Sequence, residues 1–330
     1  MRQFGKRTGP HTVSLSLLVS TLIGLYRNKL IRLALTLLLA GVVIIKADPQ
    51  RIARAAGSVR PSYLLLALVL TVPFLALKAA RWYLMLREAS IEASAGEAVR
   101  SLLGGMGLAL VTPARVGEVV RAAYIRDPQK LKIAGLVLLD KGFDVLVLCG
   151  LSIAGAWALL GPLVGAALAC VALAGLVAVY APLQVHGGLR RVSQRLPGET
   201  RLNRLWSSLE SLSPVATTVY LLLTALSFAV VLVQFGIILL SWKAWSLDIV
   251  FLTFPLVVLT NVLPVTIGGL GVREGAAALL LSHYNVSPAH AALAAFLMFA
   301  VNTALPGLIG VLVLPVVGGP TVRPRTAAGP

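Results

Sequence analysis

Long apolar runs separated by short polar segments dominate the chain. About 20 apolar residues, rising 1.5 Å each, cross the ~30 Å hydrocarbon core of a bilayer, so runs of this length predict transmembrane helices. The runs predicted to span the membrane are 30–47, 62–80, 133–160, 163–183, 214–241, 247–263 and 289–317. The pattern predicts an all-α, polytopic transmembrane helix bundle with about seven to nine membrane segments.

Two further apolar stretches, 98–123 and 264–282, are interrupted by proline, glycine and charged residues. Pro113 and Pro264 each remove a backbone donor and disfavour helix at the preceding residue. Irregular backbone at membrane depth is tolerated only where protein or a wet cavity covers it. Both stretches are therefore predicted to be re-entrant hairpins, and the second limb of the first is predicted to be a helix that starts near Ala114.

Each interrupted stretch places an Arg and a Glu in the first turn of a helix. Paired interruptions in the two halves of a chain point to the substrate site of repeat-built transporters, and helix starts with an arginine fork favour anions. The residues predicted to bind a lipid headgroup are Arg115, Glu118, Arg121, Gly269, Gly271, Arg273 and Glu274. The alternative is structural, with Arg115 paired to Glu118 and Arg273 paired to a neighbouring acid so that the bends are stable in lipid.

A cluster of three intramembrane charges, Asp140, Lys141 and Asp144, lies inside the predicted span 133–160. Each charge costs at least ~2.5 to 3.5 kcal/mol at mid-membrane, so the cluster is predicted to face the protein interior or an aqueous cavity. Asp140 and Asp144 share one helix face. Two roles remain open, a structural ion-pair network and a proton or headgroup relay. The expected partners are Arg115, Arg121 and Arg273.

Other polar residues in apolar surroundings carry weaker signals. Arg81 and Trp82, at the end of the second predicted span, are interpreted as an interfacial anchor, and contact with a substrate is the alternative. The interpretation of the remaining polar residues is interhelical hydrogen bonding rather than ligand binding, and they are Gln234, Asn261 and Asn302.

Composition agrees with the membrane interpretation. The chain is 58% hydrophobic and 12% charged, whereas a soluble domain carries about a quarter charged residues. Its formal net charge of +17 lies mainly in short segments between apolar runs, where it orients the helices, so no nucleic-acid partner is expected. The cysteines and histidines have no metal-ligand spacing, so no metal and no cofactor are expected.

The domain organisation follows from the same charges. Residues 1–29 are predicted to form a basic cytoplasmic tail, which places the N-terminus in the cytoplasm. A single membrane domain covers 30–317 and includes a basic cytoplasmic loop at 184–213. Residues 318–330 are predicted to be a short flexible tail.

Three sequence elements, Pro113–Arg121, Asp140–Asp144 and Gly268–Glu274, resemble in that order the membrane domain of lysylphosphatidylglycerol synthases. That family includes stand-alone flippase-like proteins and archaeal proteins linked to dolichyl-phosphate sugar metabolism. Members more usually carry Glu-Arg-x-x-Asp at the second element. Lys141 stands in place of that Arg and lacks its bidentate grip on phosphate.

The resemblance implies a flippase-like protein of the prokaryotic cytoplasmic membrane that binds or translocates a lipid with an anionic or glycosylated headgroup. Its expected partners are membrane lipids, either phospholipid or polyprenyl-phosphate lipid. An alternative is an intramembrane lipid-modifying enzyme that uses Asp140, Asp144 or Glu118 as acid or base. Another is an accessory to lipid-linked glycosyl transfer, which works with a separate transferase. Aminoacylation by this chain alone is not expected, because the soluble transfer domain of the full synthases has no counterpart in it.

Overall fold

The computed structural model describes residues 49–111, 118, 121–180, 213–262, 266 and 269–313. The predictions that fall outside the described residues concern the basic tail 1–29, the first span 30–47, almost all of loop 184–213 and the tail 318–330.

The regular elements of the described residues are helices, which confirms the all-α prediction. They are α1 (Pro49–Gly57), α2 (Pro61–Glu88), α3 (Ala95–Val111), α4 (Lys130–Leu159), α5 (Pro162–Tyr180), α6 (Pro214–Leu240), α7 (Phe254–Leu259), α8 (Val272–Ser282), α9 (Pro288–Phe299) and α10 (Leu305–Val313). A π-helical segment, Ile249–Thr253, leads into α7, and a 3-10 turn, Thr260–Val262, follows it. A second π-helical segment, Ala300–Ala304, joins α9 to α10.

Four helices in the described part are long and apolar enough to cross a membrane. They are α2, α5, α6 and the continuous helix Pro288–Gly310, and they match predicted spans. The protein is therefore an integral membrane protein. Only 11% of the most apolar 18-residue stretch of α5 is buried within the protein, so most of the surface of this helix is available to contact lipid.

Local sequence signals account for where these spanning helices begin. Proline occupies the first turn of α2, α6 and α9, where its missing N–H would have had no intrahelical partner. Serine caps two of the same helices: the hydroxyl of Ser213 accepts from the backbone N–H of Ala216 at 3.1 Å, and the hydroxyl of Ser287 accepts from that of His290 at 3.4 Å.

Helix pairs pack closely where small residues remove side-chain bulk. α2 packs along α6, α4 along α5, and α3 along α10. In the last pair, a Cβ atom on Gly310 would overlap the backbone carbonyl of Leu103. In membranes, such close backbone approach supplies the van der Waals contact that holds helices together.

The two interruptions differ in the described structure. At the second, Gly269 and Gly271 have φ angles of 74° and 82°, and α8 begins at Val272 as predicted. At the first, residues 121–124 form a 3-10 turn, and the predicted helix start near Ala114 lies outside the described residues. That both stretches are re-entrant in the membrane stays a prediction.

Candidate functional site

A cavity of about 410 Å³ lies between α2, α3, α4, α6, α7 and α9. Its walls are mostly apolar, with Phe74, Met106, Leu148, Phe254 and Phe299 among them. Its charged lining residues are Lys78, Glu118, Lys141, Asp144 and Arg273. The cavity therefore combines a charged part with apolar walls.

The buried centre of the charge cluster is the pairing of Arg81 with both acids of α4. The Nε atom of Arg81 donates to Asp140 Oδ1 at 2.8 Å, and one of its terminal nitrogens lies 2.9 Å from Asp144 Oδ1. A second terminal nitrogen donates to the hydroxyl of Thr224 on α6. Arg81 is only 1% exposed, so the interpretation of this residue as an interfacial anchor is wrong. The face of α2 that carries Arg81 packs toward α4 and α6 rather than toward the headgroup layer.

Arg121 supplies the second arginine to Asp140. Its Nη2 atom lies 2.5 Å from Asp140 Oδ2, as predicted for this pair, and its guanidinium lies over the Trp82 ring at 4.0 Å from the centroid. Trp82 is fully buried, so it too is not an interfacial anchor. Gly105 on α3 allows the segment that carries Arg121 to pack closely, since a Cβ atom on residue 105 would lie 2.9 Å from Arg121 Cβ.

The lysines hold the acids that line the cavity. Lys78 Nζ lies 2.7 Å from Asp144 Oδ2, while Lys141 pairs with Glu118 of the first interruption and lies 3.5 Å from Asp144 Oδ2. Sequence reasoning did not single out Lys78. The available signal was the high cost of a lysine inside the apolar run 62–80, which requires an acidic partner in the protein.

Arg273 reaches the cavity from the start of α8. It pairs with Glu274, whose other carboxylate oxygen accepts from the Gly271 N–H at 2.7 Å. The Arg273 guanidinium also lies 4.4 Å from the centroid of the Phe299 ring. The pairing of Arg273 with a neighbouring acid is thus observed, and the ion pairs of Asp140 in the described part are with Arg81 and Arg121.

Uncharged polar residues form a hydrogen-bonded group that reaches the cavity wall at Asn302. Asn302 Nδ2 donates to Gln234 Oε1 at 3.0 Å, and Gln234 Nε2 donates to Thr71 Oγ1 at 3.1 Å. These contacts join the second π-helical segment to α6 and α2, which confirms interhelical hydrogen bonding for Gln234 and Asn302. Asn261 lines the cavity, and its carboxamide oxygen accepts no hydrogen bond within the described structure.

The residues predicted to bind a headgroup thus fall into separate groups. Glu118 and Arg273, with Lys141 and Asp144 of the α4 cluster, line the cavity. Arg121 and Asp140 form ion pairs but are not among the lining residues, and Gly269, Gly271 and Glu274 shape the start of α8. Arg115 lies outside the described residues.

The chemistry of the lining suits an amphiphile. Ammonium and guanidinium groups attract an anionic or polar head, and the apolar walls accept hydrocarbon. Among the described residues, no group of three or more His, Cys, Asp and Glu side chains could hold a metal ion.

Comparison with known proteins gives one family match. A family model described as the lysylphosphatidylglycerol synthase TM region matches residues 29–310. No curated protein and no solved structure matches the chain. The match includes both interruptions and the charge cluster of α4.

Proposed function

Because the chain belongs to the lysylphosphatidylglycerol synthase TM-region family, whose membership relates it to lipid handling, we propose that it binds and translocates a lipid with an anionic or glycosylated headgroup. The headgroup would occupy the charged part of the cavity, and the acyl or prenyl chains would follow its apolar walls. Candidate ligands are phospholipids and polyprenyl-phosphate lipids.

The observation that carries the proposal is that cations from three separate elements meet around one cavity. Lys78 comes from α2, Lys141 from α4 and Arg273 from α8, and the surrounding wall is apolar. A charged side chain inside a membrane costs free energy. Charged side chains that line a cavity there therefore indicate a functional site.

The carboxylates beside these cations have a role in the same proposal. Glu118 and Asp144 hold the lysines in place when no headgroup is bound, so that the cations are never without a counter-ion in the membrane. A phosphate that enters exchanges one counter-ion for another instead of having to neutralise a bare charge.

The enzymatic alternative has no specific contact in its favour. Asp140 is not among the cavity-lining residues, and both of its carboxylate oxygens are engaged by arginines. Glu118 and Asp144 line the cavity but are paired with lysines. The described contacts of these acids fit a structural and electrostatic role.

Arg273→Ala tests the proposal in two measurements. The purified protein is analysed by native mass spectrometry for retained lipid, and it is reconstituted in phosphatidylcholine vesicles containing phosphatidylglycerol, where transport of a fluorescent phosphatidylglycerol is followed by its accessibility to a quencher. We expect Arg273→Ala to lose bound lipid and transport while the protein remains monodisperse in detergent.

The matched control is Arg126→Ala, because the Arg126 side chain is 72% exposed and does not line the cavity. It should bind and transport lipid like the wild type. Full transport by Arg273→Ala would overturn the headgroup role of this residue. A lipid product of changed mass in the spectrum would favour the enzymatic alternative.

A further inference from the structure

The rim of the cavity consists of side chains from two opposing elements. Among the lining residues, Leu138 on α4 is 54% exposed and Val262, at the end of the 3-10 turn after α7, is 47% exposed. The Lys141 side chain, one turn along α4 from Leu138, is 37% exposed. The other lining residues that the structure describes are buried or half-buried, so these three mark where the described wall of the cavity opens.

The depth of this rim indicates which medium it faces. Leu138 lies eight residues after the first residue of α4, about 12 Å along a helix that is 30 residues long. The predicted span 133–160 coincides with α4 except at its ends. If α4 is centred on the bilayer, its length of ~45 Å exceeds the ~30 Å hydrocarbon core by several ångströms at each end, and Leu138 then lies at hydrocarbon depth. Lys141 lies a further turn inward. Two of the three rim side chains are apolar, as expected of a surface that contacts lipid chains.

The exposure of the lining cations that the structure describes decreases from the rim to the interior of the cavity. Lys141 is the most exposed of the three lining cations, whereas Lys78 and Arg273 have side-chain exposures of 14% and 4%. An entering headgroup therefore meets Lys141 first. Since Lys141 is shared between Glu118 and Asp144, it can turn toward an anion while keeping an acidic partner.

We infer that the cavity is loaded sideways from the bilayer through a portal formed by Leu138, Lys141 and Val262, and that its occupant is a lipid whose chains stay in the membrane outside these residues. Lys141 receives the headgroup and passes it toward Lys78 and Arg273. This inference rests on the proposed function and adds the route and the first contact. A water-soluble anion would not use this entrance, because the apolar rim opens at hydrocarbon depth.

The first test measures the environment of the rim without requiring transport. Leu138→Cys and Val262→Cys, each in a Cys149→Ser, Cys170→Ser background, carry a spin label in vesicles of phosphatidylcholine and phosphatidylglycerol. We expect the spin label at position 138 or 262 to collide often with oxygen and rarely with a water-soluble nickel chelate. Arg126→Cys is the water-exposed control and Leu163→Cys, on α5 and 82% exposed, is the lipid-exposed control. Nickel access at 138 or 262 equal to that at 126 would overturn the portal.

The second test blocks the portal. Leu138→Trp and Val262→Trp should slow transport of fluorescent phosphatidylglycerol by about tenfold or more, which corresponds to ~1.4 kcal/mol of added barrier, while Leu163→Trp leaves the rate unchanged. The Leu138→Trp and Val262→Trp proteins should remain monodisperse in detergent with the thermal midpoint of the wild type, which excludes a general loss of folding.

The outcomes separate the two proposals. Wild-type protein that neither retains nor transports lipid would refute the proposed function. Wild-type protein that transports lipid, together with Trp variants of unchanged rate, would refute the portal and leave the proposed function standing.

Discussion

The Nζ atom of Lys78 lies 2.7 Å from Oδ2 of Asp144 and joins the middle of α2 to the middle of α4 at the wall of the cavity. This pair is one edge of a network in which Arg81 bridges both acids of α4 and Arg121 reaches Asp140 from the first interruption. The network therefore connects α2, α4 and the first interruption, and it leaves Lys78 rather than Arg81 or Arg121 at the cavity surface.

Asp140→Leu should strongly destabilise the protein. The carboxylate is 2% exposed and balances Arg81 and Arg121, both 1% exposed, so its removal takes this acid from the buried Arg121 and leaves Arg81 with Asp144 alone. Loss of one partner of a buried pair costs about 3–5 kcal/mol. Thermal unfolding in detergent should show a lower midpoint and a reduced folded yield. Glu92→Gln, at an exposed position, is the control and should behave like the wild type.

Charge reversal at the pair of Lys141 and Glu118 tests the contact between α4 and the first interruption. Lys141→Glu brings three carboxylates together, at positions 118, 141 and 144. The change should therefore lower both the thermal stability of the protein and its retention of lipid. The double variant Lys141→Glu, Glu118→Lys should recover at least half of the lost thermal stability. Equal stability of the single and double variants would contradict the pairing.

Glycines on two helices should respond differently to the same added methyl group. Gly310→Ala should destabilise the packing of α10 on α3, because the new Cβ would overlap the Leu103 carbonyl. Gly150→Ala should be neutral or stabilise by about 0.5–1 kcal/mol, because no atom lies within 4 Å of its Cβ position and alanine favours helix. Thermal unfolding of the two variants in one detergent gives the comparison, and equal shifts would contradict it.

The two interruptions should be protected together by lipid. Glu118→Cys lies in the first interruption and Asn261→Cys lies three residues before Pro264, where the second begins; in the background without native cysteines, each places one thiol in the cavity lining. Both should react with a small membrane-permeant maleimide, and added phosphatidylglycerol should slow both reactions in parallel. Ala277→Cys, fully buried and not among the lining residues, should react far more slowly. Protection of one site without the other would separate the two interruptions.

The sequence could predict most of the helices but not the π-helical segments within them. The starts of α2, α6 and α9 follow from proline and serine signals read locally, and the predicted spans 62–80, 214–241 and 289–317 match them. The two π-helical segments were not predicted, because nothing in the local pattern distinguishes a π-helical turn from α-helix in an apolar run.

By itself the sequence determined that the chain is a membrane protein and that Asp140, Lys141 and Asp144 face inward, because the cost of charge in lipid depends only on residue type and depth. Only the tertiary structure decided their partners. Arg81 lies 59 residues before Asp140, and its position at the end of a predicted span is typical of an interfacial anchor. Helix packing nevertheless buries it against α4 and α6. Which face of α2 turns inward depends on contacts with helices distant in sequence, so the identity of the cations that line the cavity is a property of the packed bundle.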